Sequence, residues 1–578
     1  MNILQKIIMR GNYNQPKQLY YNGDMSFEID CCRVKENISF DTYFNLFSMK
    51  KWRKYCDTKD VFFSIEINGA GKIQLMSLNE EDEKGKLISE INYNSIEFEK
   101  KVILLEQSII ADSDFLYFKI LPIDITYFKN AFYYNEKNVR NIDLACCFCT
   151  YKREVEVKNN INLLSKYTNK MEHTNDNVDI YVADNASTLY LDDCKYDNVH
   201  VFSNKNYGGA AGFTRCIIES CLKNKKYDYI ILMDDDACIE PYVVERTIYF
   251  LKNLKKEYYD SMIGGALLSK ENMGLQLENG SYFTKEKSIK INQKYDMKCL
   301  KHVIKNEYEH DINYCGWFYS CIPTAFINSD NLPLPIFIHG DDQEYGMRFK
   351  KKIITLNGIC IWHPNPGAVL RSYMSYYDSR NAAIIISEFY ENFSRWSMIK
   401  LITRYTLPNI LLYRYEAAYH TLNGFIDFYK GIDWLKEIDA EKLNLCILKS
   451  QKYHVEKIAN FNCKFSQVCN DTSKVRRIKR FINYFIPAIH NERTYDIETD
   501  SRIINLISTK KINLINTKTN ERYVFIKSYI KLFEIIKLYL KSILVVFRCH
   551  NKVWKEWNTR ISEIQNIDFW NKYLDLKK

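Results

Sequence analysis

The sequence predicts a mixed α/β protein in three successive parts: an antiparallel β-sandwich, an α/β domain built on a parallel sheet, and a C-terminal helical domain. Short segments of alternating polarity, separated by turn residues, occupy residues 38–133. From residue 142, apolar strands alternate with amphipathic helices. After residue 379, Leu, Ile, Tyr and Lys recur at helical spacing. We therefore expect domains at residues 1–138, 139–390 and 391–578.

Length and composition support a folded, multidomain protein. The 578 residues exceed what one core normally holds, and 46% hydrophobic with 26% charged residues is typical of globular chains. The opening segment MNILQKIIMRGNYNQP has no cleavage site, and no run approaches the roughly 18 apolar residues that span a bilayer. We expect a cytoplasmic protein, and the 18 scattered cysteines are expected to be reduced.

The net charge of +10 is concentrated in the last third of the chain. Nucleic acid or an anionic membrane surface would explain such an excess. The segments 474–490 and 525–548 interrupt apolar faces with Lys and Arg, which is typical of basic amphipathic helices at membranes. Packing between helices or subunits explains them equally well. We expect no nucleic-acid partner and a peripheral position at the inner face of the cell membrane.

The strongest local signal for chemistry is the segment IILMDDDACIEP, in which an apolar strand runs into Asp234, Asp235 and Asp236. Adjacent carboxylates repel one another unless a cation lies among them. Side chains alternate along an extended segment, so Asp234 and Asp236 can share a divalent metal while Asp235 faces elsewhere. A solvated acidic turn is the ordinary alternative, but the preceding apolar run favours a metal.

A glycine-rich segment precedes the acidic one. In NKNYGGAAGFTRCIIES, Gly208, Gly209 and Gly212 form a loop that leads into an amphipathic helix. Backbone amides of such a loop suit a diphosphate, although a tight strand-to-helix turn has the same pattern. The segment lies between strand ends at Asp184 and Asp234, where open α/β sheets bind ligands.

Two further segments carry candidate groups. LPIFIHGDDQEYGMRFKKK places Asp341 and Asp342 at the start of a helix, where carboxylates also serve as ordinary caps. ICIWHPNP ends an apolar strand at His363. A lone histidine is usually structural, but an imidazole at a strand end is also a plausible third ligand for the acidic metal site.

In this order, the motifs resemble the family 2 glycosyltransferases with the GT-A fold, and within them the polymerising galactofuranosyltransferases of mycobacterial galactan synthesis. The resemblance covers residues 38–387 and includes an N-terminal segment similar to that group's β-sandwich. The motifs are CTYKR, VADN, NYGGAAGFTR, MDDDA, CGWFYS, LPIFIHGDDQEYGMR, IWH and YYDSRN.

The resemblance implies a role for each matched residue. Asp234, Asp236 and His363 would bind a divalent metal, Mn²⁺ or Mg²⁺, and Asp342 would be the general base. Trp317 and Asp341 would contact the acceptor. The residues that would contact the nucleotide-sugar donor are Thr150, Arg153, Asp184, Asn206, Gly208, Gly209, Gly212 and Asp235.

The chain departs from this group at two positions. Gly340 stands where an aromatic residue usually precedes the paired aspartates, and Asp378 stands where a later histidine contacts the donor. Both departures concern substrate contacts and not the metal or the base. The resemblance therefore implies the family chemistry and leaves the identity of the sugar open.

The expected function is an inverting, metal-dependent transfer of a sugar from a nucleotide diphosphate to a glycan or lipid-linked acceptor, by a homo-oligomer. Galactofuranose from UDP-galactofuranose is the first choice, and another hexose or rhamnose is the alternative. From other classes, a carbohydrate-binding or assembly protein would fit the β-sandwich, and a metal-dependent phosphoesterase would also cluster Asp and His.

Overall fold

In the computed structural model, the chain forms two compact units. The first contains residues 1–205, 212–329 and 345–364, and the second residues 206–211, 330–344 and 365–578. The domain boundaries expected at residues 138 and 390 remain predictions, because the units group the chain by packing and not by sequence segment. The structure describes residues 1–168, 176–190, 197–224, 226–285, 287–365, 370–450, 454–457, 494–498, 510–516 and 521–576.

The N-terminal part of the first unit is an antiparallel sheet of eight strands, as the alternating sequence pattern predicts. Its order is β2-β3-β8-β5-β7-β4, with β1 beside β8 and β6 beside β5. The long strand β5 pairs with β6 along one edge, while β8 and β7 share its other edge. The strands are β1 Asn2–Lys6, β2 Met25–Phe27, β3 Cys32–Val34, β4 Ile38–Ser39, β5 Phe62–Asn79, β6 Asp82–Leu104, β7 Phe115–Pro122 and β8 Thr126–Asn135; the helices are α1 Met49–Tyr55 and α2 Gln107–Asp112.

A second eight-stranded sheet follows and confirms the predicted α/β fold. Its order is β11-β10-β9-β12-β17-β13-β14, with β18 beside β13. The strands are β9 Asp143–Thr150, β10 Asn177–Asp184, β11 Val199–Ser203, β12 Tyr229–Asp234, β13 Met262–Ser269, β14 Gln276–Glu278, β17 Tyr319–Pro323 and β18 Ile353–His363, and a separate hairpin is formed by β15 Ser281–Phe283 and β16 Ser288–Lys290. The helices are α3 Glu154–Thr168, α4 Gly208–Ile217, α5 Pro241–Asn253, α6 Leu300–Asn306 and α7 Asp341–Arg348.

The strand directions place several strand ends at one edge of this sheet. β9, β10 and β12 are parallel, with Thr150 opposite Asp184 and Asp234 opposite Cys149. β17 is antiparallel to both β12 and β13, so β13 runs in the same direction as β12. β18 is parallel to β13. His363, the last residue of β18, therefore lies at the same edge as Asp234.

The two sheets of the first unit share one apolar core. Phe44 of the N-terminal part packs edge-on against Tyr242, with ring centroids 5.3 Å apart, and also lies near Trp362. The buried Arg246 donates to the carbonyl oxygens of Phe44 and Asn357, at 2.5 and 3.3 Å. Burial lowers the pKa of its guanidinium to about 10. These contacts fix the N-terminal sheet against the elements that carry the strand ends.

The second unit is mainly helical, as expected, but it also contains a four-stranded sheet. That sheet, in the order β19-β22-β21-β20, corrects the expectation that helices alone continue to the C-terminus. The elements are α8 Met374–Phe389, α9 Arg395–Leu411, α10 Tyr415–Phe428, α11 Ile432–Glu437, α12 Ala440–Lys449, β19 His454–Lys457, β20 Thr494–Glu498, β21 Lys511–Asn516, β22 Glu521–Ile526, α13 Tyr529–Arg560 and α14 Ile567–Leu574.

Side-chain caps mark where the last helices begin. Ser528 accepts a hydrogen bond from the Lys531 amide, and Asn566 accepts one from the Phe569 amide. The basic segment expected at 474–490 lies outside the described residues, whereas the segment at 525–548 forms the end of β22 and much of α13. Among the helices that the structure describes, none combines the length and apolar character needed to span a bilayer.

Candidate active site

The acidic strand end is brought beside His363 by a backbone bridge. β12 ends at Asp234, and the chain then turns so that Cys238 pairs with Trp362, the residue before His363. The Cys238 amide donates to the Trp362 carbonyl oxygen at 2.7 Å, and the Trp362 amide donates back at 3.2 Å. This pairing holds the Asp234–Asp236 segment next to the end of β18.

Asp234, Asp236 and His363 form a compact set of metal-ligating side chains. His363 Nε2 lies 3.0 Å from Asp236 Oδ1 and 3.7 Å from Asp234 Oδ2. One ligand atom from each residue lies within 4.8 Å of the others. Asp236 Oδ1 is buried and accepts no hydrogen bond of acceptable geometry. A buried carboxylate oxygen without a donor fits a place for a cation.

The histidine is oriented for coordination. His363 Nδ1 lies 2.6 Å from the Pro364 carbonyl oxygen and donates to it, which leaves Nε2 as the ligand atom of the neutral ring. Burial lowers the pKa of His363, but the negative charges of the nearby Asp236 and Asp234 carboxylates outweigh burial and raise it to about 9. Two carboxylate oxygens and one imidazole nitrogen suit Mn²⁺ or Mg²⁺.

Asp235 is not one of the three clustered ligand residues, although it shares Arg153 with Asp236. Its buried carboxylate accepts a hydrogen bond from Arg153 Nη1 at 2.8 Å, and the same guanidinium nitrogen lies 2.9 Å from Asp236 Oδ2. Burial raises the pKa of Asp235, although Arg153 opposes that shift. Arg153 thus links the acidic segment to the start of α3 and balances part of its charge.

Sequence reasoning missed one residue that shapes the acidic segment. The buried Asn160 of α3 donates to the carbonyl oxygens of Asp235 and Ala237, at 3.0 and 2.9 Å. An asparagine on an apolar helix face gives no sign of so distant a partner. Its two hydrogen bonds fix the backbone on which Asp236 is carried.

The other predicted donor residues of the first unit lie at strand ends or close to them. Thr150 and Asp184 are buried and opposite each other. Asp184 already accepts hydrogen bonds from the amides of Ala186 and Leu189, so it shapes the following loop. A Cβ at Gly212 would overlap the Cys149 side chain, so glycine lets α4 pass close to the end of β9.

Trp317, the predicted acceptor platform, is largely buried, with 6% of its surface exposed. Its ring packs edge-on against Phe213 and Tyr345, with centroids 5.3 and 6.0 Å away. Most of the indole surface is therefore used within the first unit. Only a small part of the ring remains for a ligand, and its role as a platform stays a prediction.

The second unit brings the glycine loop beside the paired aspartates. Asp341 and Asp342 begin α7, and Asn206 and Gly208 precede or begin α4. Gly208 has a φ of 83°, and a Cβ there would overlap the Phe337 carbonyl oxygen. A Cβ at Gly209 would lie 3.6 Å from Asp341 Oδ2.

The two carboxylates that begin α7 are in different environments. Asp342 Oδ1 accepts a hydrogen bond from the Gln343 amide at 2.8 Å. Burial raises the pKa of Asp341 to about 6, against the opposing effects of its own amide and of His339. A carboxylate that titrates near neutral pH is typical of functional sites.

Two parts of the chain match models of known protein families. Residues 146–309 match the family model "Glycosyl transferase family 2", and residues 8–136 match "Galactofuranosyltransferase 2 N-terminal". Residues 146–309 are therefore a family 2 glycosyltransferase domain, and the assignment made from the motifs is confirmed at the level of this domain.

The chain is also similar to two curated galactofuranosyltransferases named GlfT2. It is 21% identical to that of Mycobacterium tuberculosis over an alignment of 437 positions, which covers 69% of this chain and 66% of the relative. It is 22% identical to that of Mycolicibacterium smegmatis over an alignment of 434 positions, which covers 69% of this chain and 64% of the relative. The match thus spans slightly less than two thirds of each relative.

Among solved structures, a mannosyltransferase from Pyrobaculum calidifontis in complex with GDP-Man and Mn²⁺ matches with 10% identity and a TM-score of 0.27. The match covers 54% of this chain and 84% of that one. A family 29 carbohydrate-binding module matches with 13% identity and a TM-score of 0.16, over 23% of this chain and 90% of its own. Both scores are too low to support an inference about this chain.

Proposed function

We propose that the protein is an inverting, metal-dependent glycosyltransferase that transfers a sugar from a nucleotide diphosphate to a glycan or lipid-linked acceptor in cell-surface polysaccharide synthesis. The observation that carries the proposal is the set Asp234, Asp236 and His363 at the carboxyl edge of a family 2 glycosyltransferase sheet. Ligands bind at this edge in open α/β sheets.

In the proposed reaction, Asp234, Asp236 and His363 would hold a divalent metal. Such a cation would supply positive charge that balances the charge of the departing diphosphate. Arg153, which already contacts Asp235 and Asp236, keeps the acidic segment in place before the donor binds. Backbone amides near Gly208 and Gly209 would contact the phosphates or the donor sugar.

Asp342 acts as the general base in the proposed reaction. Its carboxylate takes the proton of the attacking acceptor hydroxyl, while Asp341 holds neighbouring hydroxyls. One base and one displacement invert the anomeric centre, so no carboxylate nucleophile is required. The acceleration then depends chiefly on positioning donor and acceptor for direct attack.

We propose UDP-galactofuranose as the donor, because both curated relatives carry the name galactofuranosyltransferase. Another hexose or rhamnose on a nucleotide is the alternative within the same fold. A homo-oligomer, which the resemblance of the motifs implies, stays a prediction. A carbohydrate-binding or assembly protein is the candidate from another class, but it would leave the Asp–Asp–His set and Asp342 without a role.

The proposal is tested by incubating the protein with Mn²⁺ or Mg²⁺ and a panel of nucleotide sugars that includes UDP-galactofuranose. Nucleotide release is measured with and without glycan acceptors. We expect acceptor-dependent release from one donor. Nucleotide release at the same rate with and without an acceptor would indicate a phosphoesterase. Glycan binding without any nucleotide release would indicate a binding protein.

We also propose that α13 contacts an anionic membrane surface, because its exposed face divides into an apolar and a basic strip. Residues spaced by three, four or seven share a side of a helix. Glu534 is the one exposed acidic side chain of this fully described helix. The apolar strip is Tyr529, Phe533, Leu540, Leu544 and Phe547, and the basic strip is Lys537, Lys541, Arg548, Lys552 and Lys555, with the exposed Ile530 and Glu534 at its N-terminal end.

Apolar side chains bordered by cations are typical of helices that lie in a lipid interface. The exposed Trp396 of α9 packs edge-on against Phe547, with centroids 5.7 Å apart, and extends the apolar strip. Such a contact would bring the enzyme to lipid-linked acceptors. Packing against another copy of the chain is the alternative occupant.

Leu544→Glu is expected to weaken sedimentation with vesicles of phosphatidylglycerol and phosphatidylcholine by roughly 10-fold or more, because burying a leucine contributes about 1.5–3 kcal/mol. Leu445→Glu on α12 is the matched control, since the two leucines are 53% and 47% exposed. The membrane proposal would be contradicted if the wild-type protein did not sediment with anionic vesicles. It would also be contradicted if Leu544→Glu and Leu445→Glu bound the vesicles equally well.

A further inference from the structure

The chain reaches Asp341 and Asp342 through a turn with an unusual backbone. Phe337, His339 and Gly340 have φ values of 73°, 64° and 91°. Residues other than glycine seldom adopt this left-handed conformation, and it persists only where the surroundings fix it. The groups around the turn therefore decide where the His339 side chain lies.

Helix α8 supplies those groups. The side-chain Nδ2 of the buried Asn381 donates to the carbonyl oxygens of Ile336, Ile338 and His339, at 3.1, 2.8 and 2.7 Å. The buried Arg380 Nη2 donates to the Ile336 carbonyl oxygen at 2.8 Å. The backbone on both sides of His339 is thus held by side chains of one helix.

The same helix also holds the imidazole. Asp378 lies one turn before Asn381, so both side chains reach the same segment. His339 Nδ1 is 2.7 Å from Asp378 Oδ1, and the two side chains are 46% and 45% exposed. A contact this short between imidazole and carboxylate is a charge-assisted hydrogen bond. Within the described part of the chain, His339 Nε2 has no hydrogen-bond partner, so it remains available to a ligand.

We propose that His339 binds the acceptor sugar and that Asp378 is its positioning residue, with the Nε2–H group donating to a sugar hydroxyl oxygen. This inference rests on the function proposed above, in which Asp341 and Asp342 serve the acceptor. Gly340 alone separates His339 from Asp341. Sugar hydroxyls both donate and accept, so an N–H donor beside a carboxylate acceptor matches a pair of neighbouring hydroxyls.

The charges around the imidazole favour its protonated form. The carboxylates that face it are Asp378 from α8 and Asp341 and Asp342 from α7. Burial lowers the pKa of His339, but these carboxylates, Asp378 foremost, outweigh it and raise the pKa above the ordinary value. The positive charge strengthens donation from Nε2–H, so binding of the sugar should weaken as pH rises through this pKa.

The test is calorimetric titration of the full-length protein with a synthetic digalactofuranoside, without donor. His339→Asn is the main variant, because asparagine tolerates the left-handed backbone but does not reproduce the imidazole's reach. We expect its affinity for the disaccharide to fall by roughly 10-fold or more, because the lost hydrogen bond has a charged donor. Asp378→Asn should weaken binding less and shift the fall in affinity to lower pH.

Asp433→Asn is the matched control, since it also neutralises an exposed carboxylate in an ion pair, with Arg560. It should bind like the wild type, and all three variants should melt at similar temperatures. Wild-type affinity and pH dependence in His339→Asn would overturn the inference, as would a wild type that does not bind the disaccharide. Binding by the wild type without any sugar transfer would instead overturn the proposed function.

Discussion

Replacing Asp342 with asparagine is expected to lower kcat for sugar transfer by about 10²–10⁴-fold, because an amide cannot take the proton of the acceptor hydroxyl. The substitution preserves the shape of the side chain and the oxygen that accepts from the Gln343 amide. Helix α7 should therefore form as before. The measurement is nucleotide release at saturating donor and acceptor, together with donor affinity, which should not change.

Asp341→Asn is the control at the neighbouring residue, and it should change the acceptor KM and not chiefly kcat. Because Asp341 is proposed to hold acceptor hydroxyls, its loss should raise the acceptor KM more than it lowers kcat. Burial raises the pKa of Asp341 to about 6, so the wild-type acceptor KM should rise as pH falls through that value. A base other than Asp342 would be indicated if Asp342→Asn kept more than about a tenth of wild-type kcat.

The sequence was sufficient to predict the edge of the sheet at which the candidate groups lie. Thr150, Asp184 and Asp234 each end an apolar strand, and parallel strands bring their carboxyl ends to one edge. The alternation of side chains also separated Asp235 from Asp234 and Asp236. These predictions needed only local periodicity and the general direction rule for α/β sheets.

Contacts between distant segments could not be predicted in this way. Nothing in the local pattern shows that Asn160 donates to the Asp235 backbone, or that His339 pairs with Asp378. The left-handed conformation of His339 also leaves no sign in a one-dimensional pattern. Such pairings depend on how the chain folds back on itself.

The four-stranded sheet of the second unit was missed for a different reason. Its strands are short, and β21 KINLIN and β22 ERYVFI stand directly before the 32-residue helix α13. Over a long stretch of sequence, the Lys, Ile and Leu residues of this region also match the spacing of an amphipathic helix. The β-branched and aromatic residues of YVFI were the available strand signal.

The largest effect on ligand binding is expected at the Asp–Asp–His set. Asp236→Asn should weaken Mn²⁺ binding by roughly 100-fold or more, since loss of a supporting residue alone often costs 10–100-fold. Asp235→Asn is the matched control: its carboxylate contacts Arg153 and is not part of the set. The measurement is the paramagnetic resonance signal of free Mn²⁺ during titration of the protein, which does not depend on turnover.

The same titration has a predicted pH dependence. In the metal-free protein the pKa of His363 is raised to about 9, so at neutral pH a proton occupies the nitrogen that the metal needs. Mn²⁺ affinity should therefore rise with pH, by up to about tenfold per unit, and level off above pH 9. In His363→Ala this dependence should disappear along with most of the affinity. A pH-independent affinity in the wild type, or equal affinities in Asp236→Asn and Asp235→Asn, would show that the three residues do not bind the metal together.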